Sequence, residues 1–169
     1  MNNNLFPSEQ QVCAAKILII DDEMADIRML EWALRKAQFQ NFRSLTDPTR
    51  AQKEFKQFQP DLVLLDLNMP GLDGFAVLKQ LRESAPAGEF LPVLVITGDT
   101  ASETRSRALA AGANDFLGKP IDYTEVRLRI RNLLQTRLLH RQAREIQAQL
   151  KTLSAGEGTD PQTKPGQKQ

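Results

Sequence analysis

Acidic residues that directly follow a short apolar run are the first candidates for chemistry in this sequence. Asp21-Asp22-Glu23 comes immediately after the run Lys16–Ile20. Adjacent carboxylates repel one another unless a cation or a network of hydrogen bonds neutralises them. A hard divalent cation such as Mg2+ binds carboxylate and carbonyl oxygens. The cluster therefore indicates either a metal site or an acidic turn that caps the next helix.

A second carboxylate is placed in the same way. Asp66 ends the apolar run Leu62–Leu65, where an unpaired carboxylate would be costly to remove from water. The loop that follows, Leu67–Gly74, is rich in turn-forming residues and suits a site that uses backbone carbonyl groups as ligands. If the two runs are neighbouring parallel strands, Asp21, Asp22 and Asp66 can converge on one ion.

A hydroxyl and an ammonium group are found at two further strand ends. Thr97-Gly98-Asp99 follows the run Val93–Ile96, and Gly118-Lys119-Pro120 follows Asp115–Leu117. A hydrogen-bond donor and a positive charge both stabilise an oxyanion. Here both would lie at the same edge of the sheet as the carboxylates. Taken singly, the threonine could be an ordinary strand residue and the lysine an ordinary surface lysine. Their shared placement favours a common site.

The elements that must position these residues alternate between two patterns. Runs of continuous apolarity are typical of strands buried on both faces of a parallel sheet, and the segments between them have helical spacing. The order βαβαβαβαβα predicts an α/β fold with a doubly wound parallel sheet and a site at the carboxyl ends of its strands. The predicted strands are Lys16–Ile20, Asn41–Leu45, Leu62–Leu65, Val93–Ile96 and Asp115–Leu117, and the predicted helices include residues 25–37, 51–58, 75–81, 108–111 and 122–155.

Sequence signals mark several helix ends. Asp47-Pro48 predicts an N-cap followed by proline in the first turn. Thr100 and Asp122 are each followed three residues later by a glutamate, which is capping-box spacing. Gly112 is expected to end the fourth helix.

Length and composition are those of one soluble globular domain. The 169 residues are 41% hydrophobic and 25% charged, which is ordinary for such domains. The apolar runs are too short to span a bilayer, and Met1–Asn4 shows no start of a secretory signal. Cys13 is the only cysteine, which excludes an intramolecular disulfide and a cysteine-rich zinc site. We therefore expect a cytoplasmic protein.

The net charge of +1 hides a difference between two parts of the chain. Residues 1–121 carry 13 basic and 16 acidic residues, whereas residues 122–169 carry 9 and 5. The basic part is mostly the long fifth helix, whose arginines and His140 are most simply a solvated face. Its apolar residues Leu139, Ile146 and Leu153 lie seven apart. We predict a flexible N-terminus at 1–13, a folded domain at 14–135, an extended helix able to form a coiled coil at 136–155, and a disordered tail at 156–169.

Together these motifs resemble the receiver domain of two-component response regulators, the CheY-like family. The resemblance rests on Asp21-Asp22, Asp66–Gly74, Thr97-Gly98, and Gly112-Ala113 followed by Lys119-Pro120. It covers residues 14–135 and implies a flavodoxin-like fold with strand order 2-1-3-4-5. The continuation of the fifth helix is similar to the signalling helices that join receivers to output domains.

The resemblance implies a role for each acidic residue. Asp66 is the phosphoacceptor and receives a phosphoryl group from a phosphohistidine. Asp22, Asp66 and the backbone carbonyl of Asn68 bind Mg2+, which Mn2+ could replace, and Asp21 assists through a water molecule. Asn68 also flanks the path of the hydrolytic water and tunes the lifetime of the phosphoryl group.

Residues at the other strand ends act on the same group. Lys119 pairs with the phosphoacceptor carboxylate and then with phosphoryl oxygens, and its bond to Pro120 is cis. Thr97 turns its hydroxyl toward the phosphoryl group. Phe116, where a tyrosine is more common, is the aromatic partner of this switch, with sheet packing as its alternative role. Asp99 also tunes the phosphoryl lifetime.

The resemblance implies partners as well. The phosphodonor is a sensor histidine kinase or a phosphotransfer protein. A homodimer is expected through the face of the fourth helix, fifth strand and fifth helix, through the C-terminal helix, or through both. We expect no membrane association, and no direct binding to nucleic acid because no helix-turn-helix unit follows. The chain is either a stand-alone receiver or the receiver and linker of a longer regulator.

Two other functions fit part of the sequence. A haloacid-dehalogenase-type phosphatase also forms an aspartyl phosphate on an α/β fold, but its second acid would have to be Asn68, which cannot donate a proton. A dimerisation module with a vestigial acidic pocket would leave the long helix as the functional part, but the complete site argues against it. The sequence therefore favours a phosphoacceptor switch that catalyses only its own phosphorylation and dephosphorylation, and is otherwise not an enzyme.

Overall fold

The computed structural model describes residues 6–156, which contain a five-stranded parallel sheet. The strands are β1 (Ile17–Ile20), β2 (Phe42–Leu45), β3 (Leu62–Leu65), β4 (Val93–Thr97) and β5 (Asp115–Gly118). Their order is β2-β1-β3-β4-β5, and every neighbouring pair is parallel. This order confirms the doubly wound, flavodoxin-like α/β fold expected from the sequence.

The three central strands are buried because their residues are apolar on both faces. Every residue of β1, β3 and β4 is buried. The pairs Ile20↔Leu65 and Leu65↔Val95 place the carboxyl ends of these strands side by side. Asp21 and Asp66 directly follow β1 and β3, so they start from adjacent positions on one edge of the sheet.

Six α-helices accompany the sheet within the described residues. They are α1 (Glu9–Cys13), α2 (Met24–Lys36), α3 (Ala51–Phe58), α4 (Gly74–Ser84), α5 (Ser102–Ala110) and α6 (Tyr123–Gly156). Apolar residues of α1, α2 and α6 form one cluster with one face of the sheet, and those of α3, α4 and α5 form a second cluster with the other face. The predicted fourth and fifth helices are therefore α5 and α6.

Several helix-end predictions are confirmed. Asp122 accepts a hydrogen bond from the backbone N–H of Glu125 at 2.8 Å, at the start of α6. Gly112 follows the end of α5 with a φ of +105°, a conformation that glycine adopts without steric cost. Asp47 is an N-cap, but Pro48–Arg50 forms a single 3-10 turn before α3 begins.

The prediction that Thr100 caps the fourth helix is wrong. α5 begins at Ser102 and has no side-chain cap at the preceding residue. The carboxylate of Asp99 instead accepts hydrogen bonds from Ala101 N at 3.0 Å and from the Thr104 hydroxyl at 2.7 Å. An ionised carboxylate is a stronger hydrogen-bond acceptor than a hydroxyl. Asp99, which precedes Thr100, therefore caps this turn in its place.

The N-terminal segment differs from the flexible stretch that we predicted for residues 1–13. Residues 9–13 form α1, and its N-cap Ser8 makes a capping box with Gln11. Val12 is buried in the cluster that α2 and α6 share, and Glu9 forms an ion pair with Arg131 of α6. A satisfied helix start and one buried side chain are therefore enough to order this segment. Residues 1–5 lie outside the described part of the chain.

The amino-terminal edge of the sheet, opposite the edge that carries Asp21 and Asp66, anchors α6. Arg137 donates hydrogen bonds to the carbonyl of Phe90 at 2.9 Å and to Glu89 at 3.1 Å. Arg141 donates to Asp61 at 3.3 Å, and the ring of His140 stacks on Phe90 with centroids 4.8 Å apart. Arg137 is thus a docked residue rather than part of a solvated face, whereas His140 and Arg141 remain exposed as expected.

The last turns of α6 present apolar residues to solvent. Ile146, Leu150 and Leu153 are 57%, 59% and 68% exposed. The helix ends at Gly156, one residue beyond its predicted end, and residues 157–169 of the predicted tail lie outside the described residues. Within residues 6–156, no helix has both the length and the apolar character needed to cross a membrane.

Candidate functional site

The carboxylates of Asp21, Asp22 and Asp66 meet at the carboxyl edge of the sheet. The N–H of Asp66 donates to the carbonyl of Ile20 at 2.9 Å, which holds Asp66 beside the end of β1. One carboxylate oxygen from each of the three acids lies within 4.8 Å of the other two. Asp21 and Asp66 are only 2% and 4% exposed. The structure thus brings together the three acids that the sequence places at strand ends.

Lys119 is the counter-charge of this acidic group. Its Nζ lies 2.9 Å from Asp21 Oδ2 and 3.0 Å from Asp66 Oδ2. Burial lowers the pKa of Lys119, but hydrogen bonds to carboxylates outweigh burial and raise this pKa above its ordinary value. The ammonium is therefore charged at neutral pH. Its backbone N–H donates to the carbonyl of Thr97 at 2.9 Å, and its peptide bond to Pro120 is cis, as the resemblance implied.

A further carboxylate, that of Asp26, also contacts Lys119. Asp26 Oδ2 lies 2.6 Å from Lys119 Nζ, the shortest of the three contacts of this ammonium with carboxylates. Sequence reasoning missed Asp26. The signal that could have found it is its spacing, because Asp26 lies in the first turn of the helix that follows β1. A first turn that starts at a strand end stays close to that edge of the sheet.

Backbone amides orient the two buried acids. The N–H of Glu23 donates to Asp21 Oδ1 at 2.9 Å, and the N–H of Asn68 donates to Asp66 Oδ1 at 3.1 Å. Each acid therefore directs its other oxygen at Lys119. Burial raises the pKa of Asp21, and the hydrogen bonds from Lys119 and Glu23 offset only part of this effect. The ionised form of Asp21 would thus gain from a second cation.

Thr97 and Phe116 lie on neighbouring strands. Thr97 is completely buried at the end of β4, and its hydroxyl oxygen is 3.4 Å from the N–H nitrogen of Asp99. Among the described residues, the Thr97 hydroxyl makes no hydrogen bond to the side chain of Asp66 or of Lys119. Phe116 is buried in the cluster with α3, α4 and α5. The structure therefore gives Phe116 the packing contacts of its alternative role, and its part in a switch stays a prediction.

The two residues expected to tune the phosphoryl lifetime have different surroundings. The side chain of Asn68 is exposed on the loop after β3. The carboxylate of Asp99 is occupied by the start of α5, and its hydrogen bonds with Thr104 and Ala101 lower the pKa of this carboxyl. Asn68 is therefore free to face an incoming water, whereas Asp99 is tied to the helix.

The acidic group fits a hard divalent cation. Asp22 Oδ1 is buried and has no hydrogen-bond partner among the described atoms, and an unpaired buried carboxylate oxygen is costly. Mg2+ takes oxygen ligands and usually keeps several waters. Asp21, Asp22 and Asp66 supply the carboxylates for such a site, and Asn68 lies where the resemblance places a backbone carbonyl ligand.

Removal of the Asp22 carboxylate is expected to weaken Mg2+ binding by about tenfold or more. Loss of a residue that only supports a ligand already costs about 10–100-fold in metal affinity, and Asp22 would be a ligand itself. The measurement is the rise in melting temperature with added Mg2+ for the wild type and for Asp22→Asn, because a cation that binds only the folded state stabilises it.

The matched control is Glu83→Gln, which removes an exposed acid outside the site. This control is expected to titrate like the wild type. An Asp22→Asn protein that needs no more Mg2+ than Glu83→Gln would show that Asp22 is not a ligand.

Sheet order and site together define the class of this domain. A parallel sheet of order β2-β1-β3-β4-β5, with three carboxylates and a lysine at its carboxyl edge, is the arrangement of a CheY-like domain. The family model of the response regulator receiver domain matches residues 17–131. The chain belongs to this family.

Known proteins with a similar sequence or structure support the same assignment. The response regulator PleD from Caulobacter vibrioides is 35% identical over 135 residues, which are 80% of this chain and 29% of PleD. The BeF3-activated N-terminal receiver domain of RstA from Klebsiella pneumoniae is 25% identical, with a TM-score of 0.64, and the match covers 71% of this chain and 98% of that one. CheY from Borrelia burgdorferi, solved in a complex with CheX, BeF3 and Mg2+, is 25% identical, with a TM-score of 0.65 over 70% of this chain and 88% of that one. The chain spans 29% to 49% of the first curated relatives it matches.

Proposed function

We propose that this receiver domain accepts a phosphoryl group on Asp66 from the phosphohistidine of a sensor histidine kinase or a phosphotransfer protein. The observation that carries this proposal is the position of Asp66. Its carboxylate is 4% exposed, lies within 4.8 Å of two other carboxylates, and contacts the Lys119 ammonium at 3.0 Å. Carboxylates at this density need a cation, and phosphoryl transfer is accelerated chiefly by positioning and by neutralisation of negative charge.

The residues around Asp66 suit it as a nucleophile. The N–H of Asn68 fixes one oxygen at 3.1 Å, and Lys119 holds the other at 3.0 Å. A new bond forms between an Asp66 oxygen and phosphorus as the bond from phosphorus to the donor imidazole breaks, and the imidazole keeps the electron pair. Lys119 then transfers a hydrogen bond to a phosphoryl oxygen. Bound Mg2+ would supply additional positive charge for the transferring group.

The neighbouring residues convert this modification into a conformational signal. In the proposed switch the Thr97 hydroxyl leaves Asp99 and donates to the phosphoryl group, while Phe116 moves with it. The long contact of 3.4 Å between the Asp99 nitrogen and the Thr97 hydroxyl favours this step, because little is lost when it breaks. Asn68 and Asp99 then set how long the phosphoryl group persists.

A haloacid-dehalogenase-type phosphatase is the alternative with the most similar chemistry. Its general acid would have to come from the second residue after the nucleophile, which is Asn68 here. An amide cannot act as that acid. We therefore propose that the domain catalyses only its own phosphorylation and dephosphorylation, and that it does not turn over aryl phosphates at enzyme-like rates.

Labelling with a small phosphodonor tests the proposal. Radiolabelled acetyl phosphate is expected to label the wild type in the presence of Mg2+ and to leave Asp66→Asn unlabelled. Asp73→Asn is the matched control, because Asp73 lies on the same loop and caps α4, a task that asparagine also performs. Undiminished labelling of Asp66→Asn would refute the proposal.

The proposed output is a change in homodimerisation in the cytoplasm. Phosphorylation would shift the face formed by α5, β5 and α6, and the exposed residues Ile146, Leu150 and Leu153 of α6 would pair with a second copy in a coiled coil. We expect no direct binding of the domain itself to nucleic acid or to a membrane. A receiver that forms part of a longer regulator would pass this change to its output domain.

Beryllofluoride, a phosphoryl mimic, is expected to strengthen the dimer of the full chain in light scattering. Leu150→Ser should weaken that dimer by at least about tenfold, because each of the two chains loses a buried leucine that contributes roughly 1.5–3 kcal/mol. Gln149→Ser, one residue earlier on the same helix, is the control and should dimerise like the wild type. Identical association states with and without the mimic would remove the claim.

A further inference from the structure

The ammonium of Lys119 contacts three carboxylates, two through hydrogen bonds and the third as an ion pair. Its contacts are 2.9 Å to Asp21, 3.0 Å to Asp66 and 2.6 Å to Asp26, and an ammonium has three donors. Three carboxylates therefore already surround the ammonium before a fourth oxygen arrives. A phosphoryl group on Asp66 can gain this lysine only if one of the three contacts is given up.

Asp26 differs from the other two partners. Its side chain is 30% exposed, whereas those of Asp21 and Asp66 are 2% and 4% exposed. It is also absent from the group of carboxylates that could share a metal ion, which is formed by Asp21, Asp22 and Asp66. Among the described residues, its polar contact within the site is to Lys119 alone.

We propose that Asp26 is a positioning residue that holds Lys119 in its resting place and thereby slows phosphorylation of Asp66. This inference rests on the proposed function of Asp66. In the resting domain, the short contact to Asp26 draws the ammonium toward the solvent side of the site. When phosphorus approaches Asp66, the lysine must turn toward the new oxygens, and the Asp26 carboxylate competes with them for the same ammonium.

Charge acts in the same direction. Asp26 adds a fourth carboxylate to the site that Asp21, Asp22 and Asp66 form, and so it places negative charge beside the position where phosphoryl oxygens arrive. The electrostatic energy between charges a few ångströms apart is appreciable even near the protein surface, so Asp26 could also repel an anionic phosphodonor directly. The experiment therefore has to separate the hold on Lys119 from simple repulsion of an anionic donor.

Two phosphodonors make that separation. Acetyl phosphate is a dianion near neutral pH, whereas phosphoramidate carries less net negative charge. If Asp26 acts by holding Lys119, Asp26→Asn is expected to be phosphorylated about three- to tenfold faster with both donors. Asp26→Glu, which restores the carboxylate, should bring the rate back toward that of the wild type.

A spectroscopic measurement reports the hold itself, without phosphorylation. The isotope-edited NMR signal of the Lys119 ammonium is expected to be protected from exchange with water in the metal-free wild type and to lose protection in Asp26→Asn. Glu31→Gln is the matched control, because it removes an acid from the same helix that pairs with Arg35 and not with Lys119. Asp26→Ser gives the same comparison if Asp26→Asn is poorly folded.

These measurements overturn the inference in three ways. An unchanged phosphorylation rate in Asp26→Asn, a gain with acetyl phosphate alone, or an unaltered Lys119 signal would each show that Asp26 does not position the lysine. If the wild type is not labelled at Asp66 at all, the proposed function fails instead. The Lys119 signal still reports whether Asp26 holds the ammonium in that case, so the two failures are distinguishable.

Discussion

Replacement of Lys119 by methionine is expected to lower the free energy of unfolding of the metal-free protein by about 3–5 kcal/mol at neutral pH. Methionine keeps much of the length of the side chain and removes its charge. Asp21 and Asp66, which are 2% and 4% exposed, would then remain buried without their cation. Urea unfolding of Lys119→Met and of the wild type, each with and without Mg2+, measures the effect. Added Mg2+ should recover part of the loss, because it neutralises the same carboxylates.

Lys79→Met is the control for this prediction. Lys79 is 77% exposed and lies 3.9 Å from Glu83, so its removal should change the free energy of unfolding by less than about 1 kcal/mol.

The pH dependence of the stability of Lys119→Met gives a second check. Loss of Lys119 removes an interaction that lowers the pKa of Asp21, so this pKa rises further above its unfolded value. The folded protein then binds more protons than the unfolded one between those two values, and the deficit of the variant should shrink as the pH falls through that window. Equal losses for the two lysines would contradict the account.

The Gly74→Ala substitution is expected to reduce the free energy of unfolding by about 3 kcal/mol and to impair labelling of Asp66. A Cβ at Gly74 would lie 2.5 Å from the carbonyl oxygen of Asp66, 2.5 Å from the Cα of Leu67 and 2.9 Å from its carbonyl oxygen. All three are backbone atoms, so no side-chain rotation can relieve the contact. The loop that follows Asp66 must move instead.

Gly98→Ala is the matched control for stability. A Cβ at Gly98 would meet open space, and its backbone does not adopt the left-handed conformation that favours glycine. We expect a change of less than about 1 kcal/mol in the free energy of unfolding. Chemical denaturation of both variants, together with acetyl phosphate labelling, separates the two outcomes. A Gly74→Ala protein as stable as Gly98→Ala would show that the close approach is absent.

Much of the fold could be predicted because burial leaves a direct mark on the sequence. Leu62–Leu65 is apolar at every position, and such a run has no exposed face in a parallel sheet. The acids follow by topology, since the residues after β1 and β3 meet at the same edge. Asp21, Asp22 and Asp66 could therefore be placed together before any distance was known.

Features that depend on tertiary contacts could not be predicted in this way. In the sequence, Asp26 is an ordinary acidic residue in the first turn of a helix. Only the fold brings Lys119 Nζ, which is far away in sequence, to 2.6 Å from Asp26 Oδ2. Arg137 has a partner in Glu89 only because α6 passes the amino-terminal edge of the sheet. The helix α1 escaped notice because Val12 is its single buried residue, too little for a periodic pattern.

Mapping of the phosphoryl group is the most direct test of the central claim. The wild type is incubated with acetyl phosphate and Mg2+, the acyl phosphate is trapped by reduction with borohydride, and the peptides are sequenced by mass spectrometry. The account predicts one modified residue, Asp66, and no modification when Mg2+ is withheld. Modification at a residue other than Asp66, or none at all in a folded, Mg2+-bound protein, would contradict it.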